Sequence, residues 1–167
     1  ILNVTFQLRK KPRFNIAYGA IEQELEKMGV KDLSVKAISD AVIRIRSSKL
    51  PIPSQIGNAG SFFKNPVVSS SRFNELRGQF GSMVGYETAD GTVKLAAGWL
   101  IEQCGPGTGI SWKGYRRGDA GCYDKQALVL VNYGTATGQE IVDLSEEIVQ
   151  SVQQKFGVKL EREVNVF

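Results

Sequence analysis

The stretch GNAGSFFKNP, residues 57–66, is the part of the sequence that comes nearest to forming a reactive site. Two glycines and an alanine bring bare backbone close to Ser61, Lys64 and Asn65. If residues 61–65 are extended, alternate side chains share a face, so one face would present a hydroxyl and an amide together. A tight bend that leads into a core strand, with the serine bonded to its own backbone, is the alternative that the pattern alone favours.

The absence of histidine limits the chemistry of Ser61. The sequence contains none, which excludes Ser-His and Cys-His pairs within this chain and removes the commonest zinc ligand. As a nucleophile, Ser61 would have only Lys49 or Lys64 as its base. As a proton donor it needs only a strongly basic acceptor such as a carbanion. We predict no metal site.

Other polar features carry weaker signals. The GPGTG run at residues 105–109 lacks the GK[ST] ending of a phosphate loop and follows a helix pattern. The net charge of +4 is spread along the chain, and the KGYRRG segment is typical of a solvated basic loop, so we do not expect nucleic-acid binding. Glu163 has the pattern of an exposed carboxylate. Cys104 and Cys122 have neither the number nor the spacing of a disulfide framework, and we predict free, buried thiols.

The elements that would position these residues follow from the periodicity of apolar residues. The predicted strands cover residues 2–9, 61–68, 128–131 and 158–166. The predicted helices cover about residues 17–28, 34–47, 69–80, 94–104 and 137–156. The last helix has the clearest signals, since Thr137 and Glu140 stand at capping-box spacing and Gly157 follows its end. Strands and helices intermix, which indicates an α+β fold with a mixed, largely antiparallel sheet and packed helices.

Composition bounds the class of protein. The chain of 167 residues is 42% hydrophobic and 23% charged, which is typical of a globular protein with a well-formed core. No apolar run is long enough to cross a bilayer, and no signal-peptide pattern is present. We therefore expect a cytoplasmic protein without membrane partners. The first strand pattern begins at once and without methionine, which suggests a truncated chain.

Five motifs occur in an order that resembles one known family. GNAGSFFKNPVV, VKLAAGWLIEQCG, DKQALVLVN, TATG and FGVKLEREV are similar to segments of UDP-N-acetylenolpyruvoylglucosamine reductases (MurB). The resemblance covers essentially the whole chain and implies the C-terminal portion of the enzyme. It implies that residues 1–16 are the trailing strand of a truncated FAD-binding region and that residues 17–167 form the substrate-binding domain.

The resemblance also implies a reaction. Such enzymes use NADPH to reduce FAD and pass a hydride to the enolpyruvyl double bond of UDP-N-acetylglucosamine enolpyruvate, giving UDP-N-acetylmuramate for peptidoglycan. The serine of GSFFKNP, here Ser61, would protonate the resulting carbanion. The second glutamate of the LExEV pattern, here Glu163, would help to position or proton-balance the intermediate. Since FAD would be bound mainly by an N-terminal half, we expect this chain alone to be inactive.

The resemblance further implies a set of substrate-binding residues. A lysine supplies charge to a diphosphate, and tyrosines can stack on a nucleotide or bond through their hydroxyls. The substrate-binding candidates are Tyr18, Arg46, Lys49, Asn65, Tyr86 and Gln126. The chain departs from the family pattern at Ile52, where aspartate is usual, in the longer loop 105–118, and in GCY before Asp124, which leaves the environment of Gln126 open. The alternative function is a non-catalytic module that binds nucleotide sugars or anions.

Overall fold

The computed structural model describes residues 2–17 and 19–166. Tyr18, a predicted substrate-binding residue, lies outside these described residues. The chain forms two compact units, Ile1–Lys49 and Leu50–Phe167. The proposed domain boundary between residues 16 and 17 concerns the longer protein and stays a prediction.

The first unit contains two helices, α1 (Ile21–Lys27) and α2 (Val35–Lys49), which pack against each other. The Ser34 hydroxyl accepts a hydrogen bond from the Ala37 N–H at 3.0 Å, so the predicted cap of α2 is confirmed. Helix α1 begins later than predicted, because Gly19 adopts a left-handed φ of 63° just before it. Leu25 and Ala41 are the buried residues of this pair.

The strand predicted over residues 2–9 is wrong for this chain. These residues form no strand, and Leu2, Val4, Phe6 and Leu8 are between 62% and 102% exposed. Alternation of apolar and polar residues makes a segment suitable for a strand, but its backbone N–H and C=O groups also need a partner strand to bond with. No strand of the described residues pairs with this segment.

Two antiparallel sheets build the second unit. The strands are β1 (Gly57–Ser61), β2 (Val67–Ser69), β3 (Gly85–Glu87), β4 (Thr92–Leu95), β5 (Arg116–Arg117), β6 (Ala120–Cys122) and β7 (Val129–Asn132). One sheet has the order β1-β7-β6-β5 and the other has the order β2-β4-β3. All described strand pairs are antiparallel, so the predicted α+β fold with a largely antiparallel sheet is confirmed.

The second unit also contains the helices α3 (Ser70–Gln79), α4 (Ala97–Glu102) and α5 (Gly138–Phe156). Helix α5 packs on α4, β6 and β7. Its capping box between Thr137 and Glu140 is present, and Gly157 ends it in the left-handed conformation, as predicted. Its core face buries Leu144, Ile148, Val152 and Phe156. Within the described residues, no helix has the length and apolar character to cross a bilayer.

Three further predictions about strands and helices need correction. The strand predicted over residues 61–68 is replaced by β1 and β2, because Pro66 lacks the N–H that a continuous ladder would use. The helix predicted over residues 94–104 begins only at Ala97, since Lys94 and Leu95 pair with β2 and β3. Among the described residues, the terminal segment 158–166 makes one isolated bridge, from Arg162 to Phe63. Its burial alternates as predicted up to Val164, but Val166 at the end of the pattern is 54% exposed.

Candidate active site

Ser61 lies at the end of β1, an edge strand that pairs with β7 and with no other strand of the described residues. The register with β7 is irregular between Asn58 and Ser61, and Gly60 takes a φ of 74° there. The Asn58 side chain fixes this bulge, because its amide donates to the Ile56 carbonyl at 2.9 Å and its oxygen accepts from the Gly60 N–H at 3.0 Å. Bulges redirect the side chain that follows them. Ser61 is exposed to solvent.

The backbone immediately after Ser61 pairs with the backbone at Glu163. The Phe62 N–H donates to the Leu128 carbonyl at 2.7 Å, while the Phe62 carbonyl accepts from the Glu163 N–H at 2.9 Å. Phe62 therefore links the chain next to Ser61 both to Leu128, which precedes β7, and to the terminal segment. The Lys64 N–H also donates to the Glu161 carbonyl at 2.9 Å, which extends the second pairing. The structure thus brings the two predicted catalytic residues to neighbouring stretches of backbone, and both side chains are exposed.

An apolar cleft of about 440 Å³ opens next to this pair. Phe62 and Val164, the sequence neighbours of Ser61 and Glu163, both line it. Residues 57–59, residues of β7 and of the N-terminal part of α5, and the end of the terminal segment complete its wall. Among the described residues, no lysine or arginine lines it. The cleft suits a flat apolar ring better than a phosphate group.

The side-chain oxygen of Asn65 is already used in a hydrogen bond within the protein. Its Oδ1 accepts from the Ala97 N–H at 2.9 Å, the first residue of α4, where Ala96 provides no side-chain cap. The Nδ2 group makes no hydrogen bond to the described residues. The predicted ligand-binding role of Asn65 therefore falls to its two N–H donors.

Tyr86 lies on the solvent-facing side of the three-stranded sheet and is 59% exposed. It stands opposite Lys94 of β4, and Val67 of β2 stands opposite the same lysine on the other side. Cross-strand partners point to the same face, so an aromatic ring and a cation lie side by side. Sequence reasoning missed Lys94, because the segment that contains it reads as the start of a helix.

Gln126 packs against α4. Its Oε1 accepts from the Leu128 N–H at 3.4 Å. The same oxygen lies close to Gly98, since a Cβ atom added to that glycine would be only 3.0 Å from it. The side chain is half-buried. Its amide is thus held within the second unit near the start of the buried strand β7.

Arg46 and Lys49 belong to the first unit. Both lie in the last turn of α2, where a positive charge is favourable at the negative end of the helix dipole. Both side chains are exposed. Their predicted contacts with substrate stay predictions, as does the role of Tyr18.

The two thiols are unsuited to nucleophilic chemistry. Both are free and buried, as predicted. Burial raises the pKa of the Cys122 thiol to about 12 and also raises the pKa of Cys104. Thiolate is the reactive form, so neither group is activated at neutral pH.

Comparison with known proteins identifies the family. Residues 52–167 match the family described as UDP-N-acetylenolpyruvoylglucosamine reductase, C-terminal domain. The chain belongs to this family. The resemblance drawn from the five motifs is therefore confirmed, and it places Ser61, Asn65, Tyr86, Gln126 and Glu163 inside the matched region.

Individual relatives carry the same name. A UDP-N-acetylenolpyruvoylglucosamine reductase of Porphyromonas gingivalis is 51% identical over 164 residues, which are 98% of this chain and 46% of that protein. The reductase of Pseudomonas putida is 48% identical over 167 residues, covering 100% of this chain and 48% of that protein. That of Flavobacterium johnsoniae is 48% identical and is covered to 48% of its length. The chain spans about half the length of these reductases.

Proposed function

We propose that this chain is the substrate-binding part of a reductase that converts UDP-N-acetylglucosamine enolpyruvate to UDP-N-acetylmuramate, in the synthesis of peptidoglycan. One observation carries the proposal. Phe62, which follows Ser61, is hydrogen-bonded through its carbonyl to the Glu163 N–H, and all three residues lie in the region that matches the family. A flavin-binding N-terminal half of the same enzyme, with residues 1–16 as its trailing strand, would supply the rest of the active site. The chain alone is expected to be inactive.

The described residues fit only part of an FAD molecule. The apolar cleft offers a wall for a flat ring, but the absence of lysine and arginine from its lining leaves the pyrophosphate to be held elsewhere. This supports a flavin bound mainly by the other half. When bound, FAD reduced by NADPH supplies the hydride for the β-carbon of the enolpyruvyl group.

The residues of this chain would handle the proton. Addition of hydride leaves an electron pair on the adjacent carbon, stabilised by the substrate carboxylate, and the Ser61 Oγ–H bond breaks as a C–H bond forms there. The acceptor is basic enough for a hydroxyl to serve as the acid. Because Ser61 is exposed, its alkoxide can regain a proton from water. Glu163 would help to position or proton-balance the intermediate.

Substrate binding would use the second set of residues. The Asn65 N–H donors and the Lys94 ammonium beside Tyr86 suit the diphosphate and the nucleotide, with Gln126 held near α4. We propose Arg46, Lys49 and Tyr18 as further substrate contacts from the first unit.

Ser61→Ala in the complete reductase tests the proposal. We expect the substrate-dependent reoxidation of reduced flavin to slow by about a hundredfold or more, while NADPH-driven flavin reduction and substrate affinity are kept. Ser71→Ala, an exposed serine of α3, is the matched control and should behave as wild type. A Ser61→Ala enzyme with the full rate of reoxidation would exclude the proton-donor role. Tight binding of the UDP-sugar without any turnover by wild type would instead favour the non-catalytic binding module.

A further inference from the structure

Arg162 lies immediately before Glu163 and is tied to helix α5 by two hydrogen bonds. Its Nε donates to the Ser145 hydroxyl at 2.8 Å, and its Nη2 donates to the Glu146 carboxylate at 2.6 Å. Ser145 is the buried polar side chain of the described core, with 0% exposure. Its own hydroxyl proton goes to the Val142 carbonyl at 2.7 Å, so the serine is free to accept from Arg162. The buried Ser145 hydroxyl therefore both donates and accepts a hydrogen bond.

The same residue is the centre of the backbone pairing that places Glu163. Arg162 stands opposite Phe63, which is 1% exposed, in an antiparallel bridge. The Glu163 N–H to Phe62 carbonyl bond and the Lys64 N–H to Glu161 carbonyl bond flank this bridge on either side. Beyond them, no ladder holds the described terminal segment. Leu160 is buried before this bridge, whereas Glu163, Asn165 and Val166 after it are exposed. Two hydrogen bonds alone leave these last residues free to fray.

We propose that Arg162 is a positioning residue for the reaction: its fork to Ser145 and Glu146 anchors the terminal segment to α5 and thereby fixes the backbone of Glu163 opposite Phe62, the residue that follows Ser61. The inference rests on the proposed function, because it gives Glu163 a role in that reaction. It assigns to Arg162 no contact with the substrate.

The chemistry of the fork explains why arginine occupies this position. The two acceptors come from adjacent residues of one helix and are reached by two nitrogens of one rigid plane. A planar guanidinium fixes direction as well as distance, whereas the ammonium of lysine is a flexible point charge. An error of about 1 Å in the position of a reacting group can cost about a hundredfold in rate.

The test is steady-state and half-reaction kinetics of the complete reductase with Arg162→Met and Arg162→Lys. For Arg162→Met we expect kcat to fall about ten- to a hundredfold with KM changed less than about threefold, and for Arg162→Lys a smaller fall. The loss should lie in flavin reoxidation by the enolpyruvyl substrate, while flavin reduction by NADPH keeps its rate. Faster amide exchange at Glu163 should accompany it.

Arg117→Met is the matched control, because Arg117 also pairs with a glutamate of α5, Glu147, at 2.6 Å but holds β5 instead of the terminal segment. It should leave kcat unchanged. An Arg162→Met enzyme with wild-type kcat and reoxidation rate would overturn the inference. If that variant does not fold, Glu146→Gln tests the same interaction, since it weakens the Arg162–Glu146 ion pair at an exposed position. A fall in kcat would support the inference, and a wild-type kcat and reoxidation rate would overturn it.

Failure of the proposed function has a different signature. Glu163→Gln is measured in parallel, and a wild-type rate for that variant would remove the role of Glu163, and with it the inference, whatever Arg162 does. A slow Glu163→Gln enzyme together with a normal Arg162→Met enzyme would overturn the positioning role alone.

Discussion

Asn65 allows the fold and the site to be separated by two substitutions at one position. Its Oδ1 caps the Ala97 N–H, whereas its Nδ2 is the part available to a ligand. Asn65→Ala removes both groups. Asn65→Asp keeps an acceptor for Ala97 and replaces the donors with a second acceptor.

The stability change follows from the burial of Ala97. Loss of a helix cap costs about 1 kcal/mol, and Ala97 is 0% exposed, so water cannot readily replace the lost acceptor. We therefore expect Asn65→Ala to lower the free energy of unfolding by about 2 kcal/mol. With a urea dependence of about 2 kcal/mol per molar, the midpoint should fall by about 1 M. For Asn65→Asp the midpoint should stay within about 0.2 M of wild type.

Tryptophan fluorescence in urea measures this change in the right unit, because Trp99 and Trp112 are the two tryptophans of the chain and both belong to Leu50–Phe167. Calorimetric titration with the UDP-sugar measures the other half of the prediction. Both variants should weaken binding by about tenfold or more, since each lacks the N–H donors to an anionic ligand. Equal losses of stability in the two variants would refute the capping argument. Wild-type affinity in Asn65→Asp would refute the ligand role.

Three further predictions concern the second unit. Ile148→Ala on α5, at a 0% exposed position, should cost about 3 kcal/mol in urea unfolding, against less than about 0.5 kcal/mol for exposed Gln150→Ala. Hydrogen bonds from the hydroxyls of Thr88 and Thr92 lower the pKa of Asp90 from 3.8 to about 2, so NMR titration should find its midpoint there. The stability that Asp90 contributes should be fully present above pH 3.8 and should disappear as the pH falls through about 2. Asp90→Asn should therefore be less stable than wild type above pH 3.8, and this difference in the free energy of unfolding should vanish as the pH falls through about 2. Alkylation at about pH 8 should leave Cys104 and Cys122 unmodified in the folded chain and modify both in denaturant, as mass spectrometry would show.

Elements with local signals could be predicted from the sequence. Helix α5 carries its own start and end, since the capping box, the apolar spacing and Gly157 all lie within one segment. The buried strand β7 could be recognised from its apolar run, with Val129, Leu130 and Val131 between 0% and 2% exposed. In both cases the residues that decide the structure are sequence neighbours.

Elements that depend on a distant partner could not be predicted in the same way. Strands β3, β5 and β6 have two or three residues each, and they exist because other strands lie beside them. The segment 2–9 shows the reverse case, with a strand pattern and no partner among the described strands. Lys94 was missed for the same reason, because pairing with Tyr86 overrides the helical spacing that follows it.

The candidate site illustrates both limits at once. The composition of residues 57–66 marked Ser61, but nothing local connects it with Glu163 near the far end of the chain. The resemblance supplied that connection, and the Phe62 hydrogen bonds give it a physical form. Sequence reasoning also assigned Asn65 to the ligand alone, although its oxygen serves the fold.

The position of Phe62 explains how the site can tolerate the departures from the family pattern. The long loop 105–118 has its own ties, because the Trp112 N–H donates to the Cys104 carbonyl at 2.8 Å and the Trp112 ring donates to the Ser151 hydroxyl at 2.7 Å. None of these bonds involves the backbone that joins Ser61 to Glu163. Changes in the loop would therefore act on the far part of α5, whereas changes at Arg162 or Phe62 act directly on the pair. The geometry of the proposed proton transfer thus depends on the terminal segment far more than on the length of the loop.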